Sequence, residues 1–208
     1  MRGKMLTILV VAGLTMQGCA TMSEQECLVS DWHAVGYEDG VRGQSADRIG
    51  KYRKACAEHG VAPDLAAYRQ GREAGLREFC EPENGFDFGS RGGTYRGGCP
   101  ADLADDFEVS YWSGRKLYDL ESSIRSASSQ ISAKRRRMDE IEDDMTEAAV
   151  RLIAEETSTE ERAAMLTKTK NMAEERGQLD AEIEELVAER ARREQELSAY
   201  RAQLASSY

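Results

Sequence analysis

The sequence predicts an all-α protein, in which a small disulfide-stapled helical domain is followed by a long antiparallel coiled-coil hairpin. Three observations carry that expectation. Nearly all the Gly, and every Cys and Pro, lie before Leu103, whereas Glu, Arg, Ala, Leu and Ser dominate the remainder. From Leu117 onward, apolar residues recur every three or four positions, the period of a helix seam. That seam breaks once, near residues 155–160, where a new helix start is signalled. With 40% hydrophobic residues in 208 and a mean hydropathy of −0.61, there is little material for one large core. The expected division is 1–18, 19–102 and 103–208. A net charge of −10 argues against general nucleic-acid binding and against attachment to anionic lipid through basic patches.

The first segment reads as an address. Arg2 and Lys4 precede an apolar run from Met5 to Met16. A permanent span needs ~20 apolar residues, so this run has signal-peptide length. Gly18 directly before Cys19 resembles the lipobox of bacterial lipoproteins, with Met16 and Gln17 standing where that motif has Leu and a small residue. The resemblance implies that the Cys19 thiol receives a diacylglyceryl group and becomes the mature N-terminus, and that acyl chains such as palmitate supply the membrane affinity. Ala20 in place of Asp after the cysteine implies sorting to the outer membrane, facing the periplasm.

Export places the other cysteines where disulfides persist. Cys27, Cys56, Cys80 and Cys99 allow three connectivities. Residues 24–40 and 46–59 read as two short helices joined by a Gly43-containing turn. In an antiparallel pair Cys27 falls beside Cys56, leaving Cys80 and Cys99 to close the glycine-rich loop. No C-x-x-C spacing supports a redox or zinc site.

Aromatic residues and glycines alternate at helical spacing. Trp32 precedes Gly36 and Gly40, Tyr68 precedes Gly71 and Gly75, and Tyr111 precedes Gly114; Y-x-x-G-R occurs at Tyr68–Arg72 and again at Tyr111–Arg115. Each helical Gly costs ~1 kcal/mol in propensity, so close helix packing is the expected compensation. Asn84 to Cys99 reads as a stapled, solvent-facing loop; it lacks the preceding strand and G-K-[ST] of a phosphate loop. Trp32, Tyr68, Tyr95, Arg91 and Arg96 form an alternative ligand surface for a glycan or peptidoglycan.

The run from Cys19 through Asp31-Trp32 and Gly36-Tyr37 to Gly40, with YRQGREAGLREFC and GTYRGGCP, resembles a family of bacterial lipoproteins known as domain of unknown function 2799. The resemblance covers about residues 19–118. It implies an envelope lipoprotein and brings no activity, substrate or catalytic residue.

Beyond it, Leu117, Leu120, Ile124, Ala127, Ile131, Lys134, Met138, Ile141, Met145, Ala148 and Leu152 form one seam, and Met165, Thr169, Met172, Arg176, Leu179, Ile183, Leu186, Arg190, Arg193, Leu197, Tyr200 and Leu204 resume it, the arginines snorkelling their charges outward. Ser158 followed by Glu161 is a capping-box signature. Folding back there sets Leu152 against Met165, Met138 against Leu179 and Leu120 against Leu197. It also brings Lys134–Arg137 beside Asp180, Glu182 and Glu184, and Asp139–Asp144 beside Lys168 and Lys170. The arm is expected to be ~50–60 Å long at 1.5 Å per residue. Its basic run Lys134–Arg137 reads as a solvated face, with no nucleic-acid partner.

His33 and His59 are the only imidazoles; His33 reads as a packing residue beside Trp32. There is no G-x-S-x-G or H-E-x-x-H motif. The expectation is a non-enzymatic envelope lipoprotein without metal or cofactor. Its predicted partners are the membrane, through the lipid, and either an envelope protein or a second copy, through the coiled coil.

Overall fold

The computed structural model describes residues 22–206, and among them every regular element is an α-helix: α1 Glu24–Val29, α2 Trp32–Val41, α3 Arg48–Ala57, α4 Leu65–Phe79, α5 Pro82–Ser90, α6 Ala101–Ile153 and α7 Thr159–Ser206. The signal-peptide and Cys19 expectations lie outside the described residues. The chain divides into two units, the first running to Cys80 and including Arg96–Ala104, the second comprising Glu81–Tyr95 and everything from Asp105.

In the first unit, the helix expected over 24–40 is two helices. Ser23 and Glu26 close a capping box over α1. Asp31 then takes the backbone N–H groups of His33 and Ala34 at 2.9 and 3.2 Å, which starts α2 afresh. Asp64 caps α4 the same way through Ala66 and Ala67. The expected helix over 46–59 is α3. Cys27 and Cys56 are bonded, as are Cys80 and Cys99. The core consists of Met22, Cys27, Trp32, Tyr52, Cys56 and Tyr68, with Val35 and Ile49 among the residues packed on it.

The α2–α4 contact is made backbone to backbone. A Cβ placed on Gly36 would lie 2.0 Å from the Tyr68 carbonyl oxygen, one on Gly71 1.9 Å from that of His33, and one on Gly75 2.2 Å from that of Tyr37. Contacts advance in step along both helices, so α2 and α4 run in the same direction. The absent side chains allow Cα–H groups of one helix to meet carbonyls of the other.

The second unit overturns one expectation. The segment expected to be a solvent-facing loop from Asn84 to Cys99 is helical in its first half, as α5, with Pro82 in the first turn, where its missing N–H costs nothing. Gly85 and Gly89 press α5 onto α6: a Cβ on Gly89 would stand 2.2 Å from the Tyr111 carbonyl, and one on Gly114 2.0 Å from that of Phe86. Residues 81–95 group with the long helices because α5 has no other face to bury, while 96–104 group with the first unit.

From there α6 and α7 form the expected hairpin. Ile131, Ile141 and Ala148 are buried along α6, and Met172 along α7; Leu120 meets Leu197 and Tyr200 near the base. Ion pairs fix the register: Lys134 with Glu182, Arg137 with Glu175 at 2.8 Å, Asp144 with Lys168 at 3.8 Å and Glu121 with Arg201 at 2.7 Å. The Tyr200 hydroxyl donates to the Ser113 carbonyl at 2.9 Å. At the turn, Ser158 and Glu161 complete the capping box. Arg162 reaches back to donate to the carbonyl of Leu152, which the end of α6 leaves without a helical partner, and to those of Ala154 and Thr157 in the turn.

Candidate functional site

The one buried charged side chain among the described residues is Asp39, 3% exposed on α2. Its Oδ2 accepts from the Tyr68 hydroxyl at 2.8 Å and its Oδ1 from the Tyr52 hydroxyl at 3.2 Å, with Arg48 Nε 3.1 Å away. Arg48 Nε also lies 2.9 Å from the Tyr52 oxygen. Burial pushes both phenols up, Tyr68 the further, with the Asp39 carboxylate adding to it. The Arg48 guanidinium is held in its charged form chiefly by the Tyr52 hydroxyl. The phenols thus stay neutral donors, and three helices share one carboxylate. Such a network stitches elements together and leaves that carboxylate engaged on both oxygens.

Beside it, a groove of about 650 Å³ is lined by Ile49, Arg69, Arg72, Glu73, Leu76 and Pro100, among others. Arg72 is committed to the Gln44 carbonyl through Nε at 3.2 Å and Nη2 at 2.8 Å. Among the described residues there is no group of three or more His, Cys, Asp or Glu side chains placed to hold a metal ion.

The residues expected to form a glycan surface differ in exposure. Trp32 and Tyr68 are 8% and 1% exposed, because a core this small needs their rings as filler. Tyr95 packs in the other unit against Phe107 and Tyr111, with ring centroids 4.9 and 5.6 Å apart. Arg91 and Arg96 are exposed. His33, expected to pack beside Trp32, is exposed as well, since Asp31 starts the helix so that His33 turns outward.

What the sequence reading passed over is a duplication. Y-R-x-x-C occurs at Tyr52–Cys56 and at Tyr95–Cys99, and Y-x-x-G-R at Tyr68–Arg72 and Tyr111–Arg115, both pairs 43 positions apart. Cys27 and Gly36 are likewise followed by Cys80 and Gly89, both 53 positions on. The contacts repeat with the letters. Gly36 on Tyr68 becomes Gly89 on Tyr111, and Gly71 on His33 becomes Gly114 on Phe86. The ring pair Tyr52–Tyr68 becomes Tyr95–Tyr111. Disulfide Cys27–Cys56, separation 29, becomes Cys80–Cys99, separation 19. The second copy is shorter because α5 stops a turn earlier than α2 and no helix corresponds to α3. Where Asp39 takes the Tyr68 hydroxyl in the first copy, the Gly93 carbonyl takes that of Tyr111, at 3.0 Å, in the second.

The span of this duplication coincides with a known family. Residues 31–116 match the family of proteins of unknown function DUF2799. The DUF2799 match opens at the N-cap of α2 and closes one residue past Arg115, so it takes in both glycine-packed helix pairs. It stops before the heptads of α6 begin. No curated protein and no solved structure matches the chain.

Proposed function

We propose that this protein is a non-enzymatic lipoprotein of the bacterial outer membrane, anchored through Cys19, whose hairpin serves as an arm for protein interaction or scaffolding. The observation that carries this reading is the hairpin itself. Two helices of 53 and 48 residues extend past the DUF2799 segment and bury a seam against each other. The lipobox-like start supports the anchor, and two disulfides suit a compartment where thiols oxidise. No described helix is long and apolar enough to cross a membrane. The burial of Trp32 and Tyr68 weighs against a glycan-stacking module.

Labelling growing cells with radioactive palmitate tests the anchor: label on the wild-type chain should vanish in Cys19→Ser. Label that survives the substitution, or never appears, rejects it. The arm is tested by photo-crosslinking from outward positions on α6 and α7, where discrete protein adducts are expected.

A further inference from the structure

The two copies within the segment that matches DUF2799 differ on one exposed helix face, and each serves as a control for the other. On α4 that face carries Ala66 and Arg69, both exposed. Forty-three positions on, α6 carries Val109 and Trp112 there, 69% and 61% exposed. A scaffold that folds with a methyl and a guanidinium at these sites does not need an isopropyl and an indole at them, so the apolar pair has no folding role to explain it. Its surroundings differ too. Asp105, Asp106 and Glu108, all exposed, stand where the first copy has Ala62, Pro63 and Leu65.

Tyr111 braces the indole edge-on, with ring centroids 5.0 Å apart at 67°. An aromatic face held in place, within a turn or two of three carboxylates, is the chemistry that receives a guanidinium or ammonium group. Trp is also one of the residue types enriched at the hot spots of protein interfaces. We propose that Val109 and Trp112 dock a segment of a partner protein that places an Arg or Lys over the indole and an apolar side chain against Val109. A second copy would bring the same three carboxylates face to face with these, and an anionic lipid surface would be repelled by them. The proposal deepens the interaction reading above and does not depend on the lipid.

The test uses the full chain in the cells that make it, with p-benzoylphenylalanine in place of Val109. Irradiation should yield an adduct with a different protein, whose sequenced crosslinked peptide carries Arg or Lys beside the attachment point. The adduct should fall to background in Trp112→Arg, which restores the first copy's residue type and should leave the melting temperature unchanged. It should fall likewise when Asp105→Asn, Asp106→Asn and Glu108→Gln are combined, but persist when Glu142→Gln and Asp143→Asn remove charge from the distal hairpin. An adduct with a second copy, with lipid only, or with nothing overturns the proposal, as does one insensitive to the three neutralisations. Palmitate labelling of the same strains reads the anchor separately, so a failed anchor and a failed docking surface give different results.

Discussion

At Gly71 a single methyl group has nowhere to go. Its carbon would overlap the His33 carbonyl oxygen at 1.9 Å, and backbone cannot rotate aside as a side chain can. Gly71→Ala should therefore destabilise the first unit by ~3 kcal/mol or more, through forced separation of α2 and α4. Gly177, in the interior of α7 with open space where a Cβ would stand, should respond oppositely, Gly177→Ala adding ~1 kcal/mol from helix propensity alone. Urea melts of the two variants check both signs. The buried carboxylate gives a second contrast. Asp39→Ala strands Arg48 and two phenols and should cost ~3–5 kcal/mol, while Tyr68→Phe removes one hydrogen bond and should cost ~1–2 kcal/mol. None of this network was readable in advance. Asp39 sits in a run with Glu38, both apparent surface acids, and only the meeting of α2, α3 and α4 makes one of them interior.

The helices themselves were the most legible part. A seam of period three to four, a capping box at Ser158 and charge pairs across the fold-back located the hairpin and its register, since each depends on local spacing. The loop over Asn84–Cys99 was misread for a physical reason. Glycine disfavours an isolated helix, and α5 exists because the backbone of α6 rewards the missing side chains. The hairpin should also answer to pH. Glu161 is held below the usual carboxylate range first by the Ser158 backbone N–H and then by its hydroxyl, and Glu175 by the Arg137 guanidinium. Groups depressed in the folded state give stability that is present above the ordinary Glu value of ~4.3 and disappears as pH falls through their folded values. The hairpin's melting temperature, followed by circular dichroism, should hold down to about pH 5 and decline below it. In Glu161→Gln with Glu175→Gln the decline should be shallower.

For the molecule as a whole, the duplication explains why four cysteines, and not some other set, are where they are. Each bridge ties the start of one copy to the segment just before its second helix, so removing one should weaken one copy. Cys27→Ser with Cys56→Ser should lower stability by ~2–4 kcal/mol and leave hydrogen-exchange protection of α5 and the hairpin largely intact. The pairing was readable from the sequence, as was the resemblance of its first half to DUF2799, but the duplication was not. The ten-residue difference in spacing hides them from a fixed-period search, although the paired Y-R-x-x-C and Y-x-x-G-R motifs were in plain view. Trp32 and Tyr68, expected on a ligand surface, are buried because aromatic composition alone does not say which rings a small interior consumes.

The two bridges follow one another along the chain and never interleave, Cys27 joining Cys56 before Cys80 joins Cys99. Under the proposed export, N-terminus first and with the Cys19 thiol acylated, Cys56 is the next thiol to emerge after Cys27, and Cys99 the next after Cys80. An oxidant that simply links sulfurs in order of arrival reaches the native pattern, and no step that breaks and re-forms a wrong bond is called for.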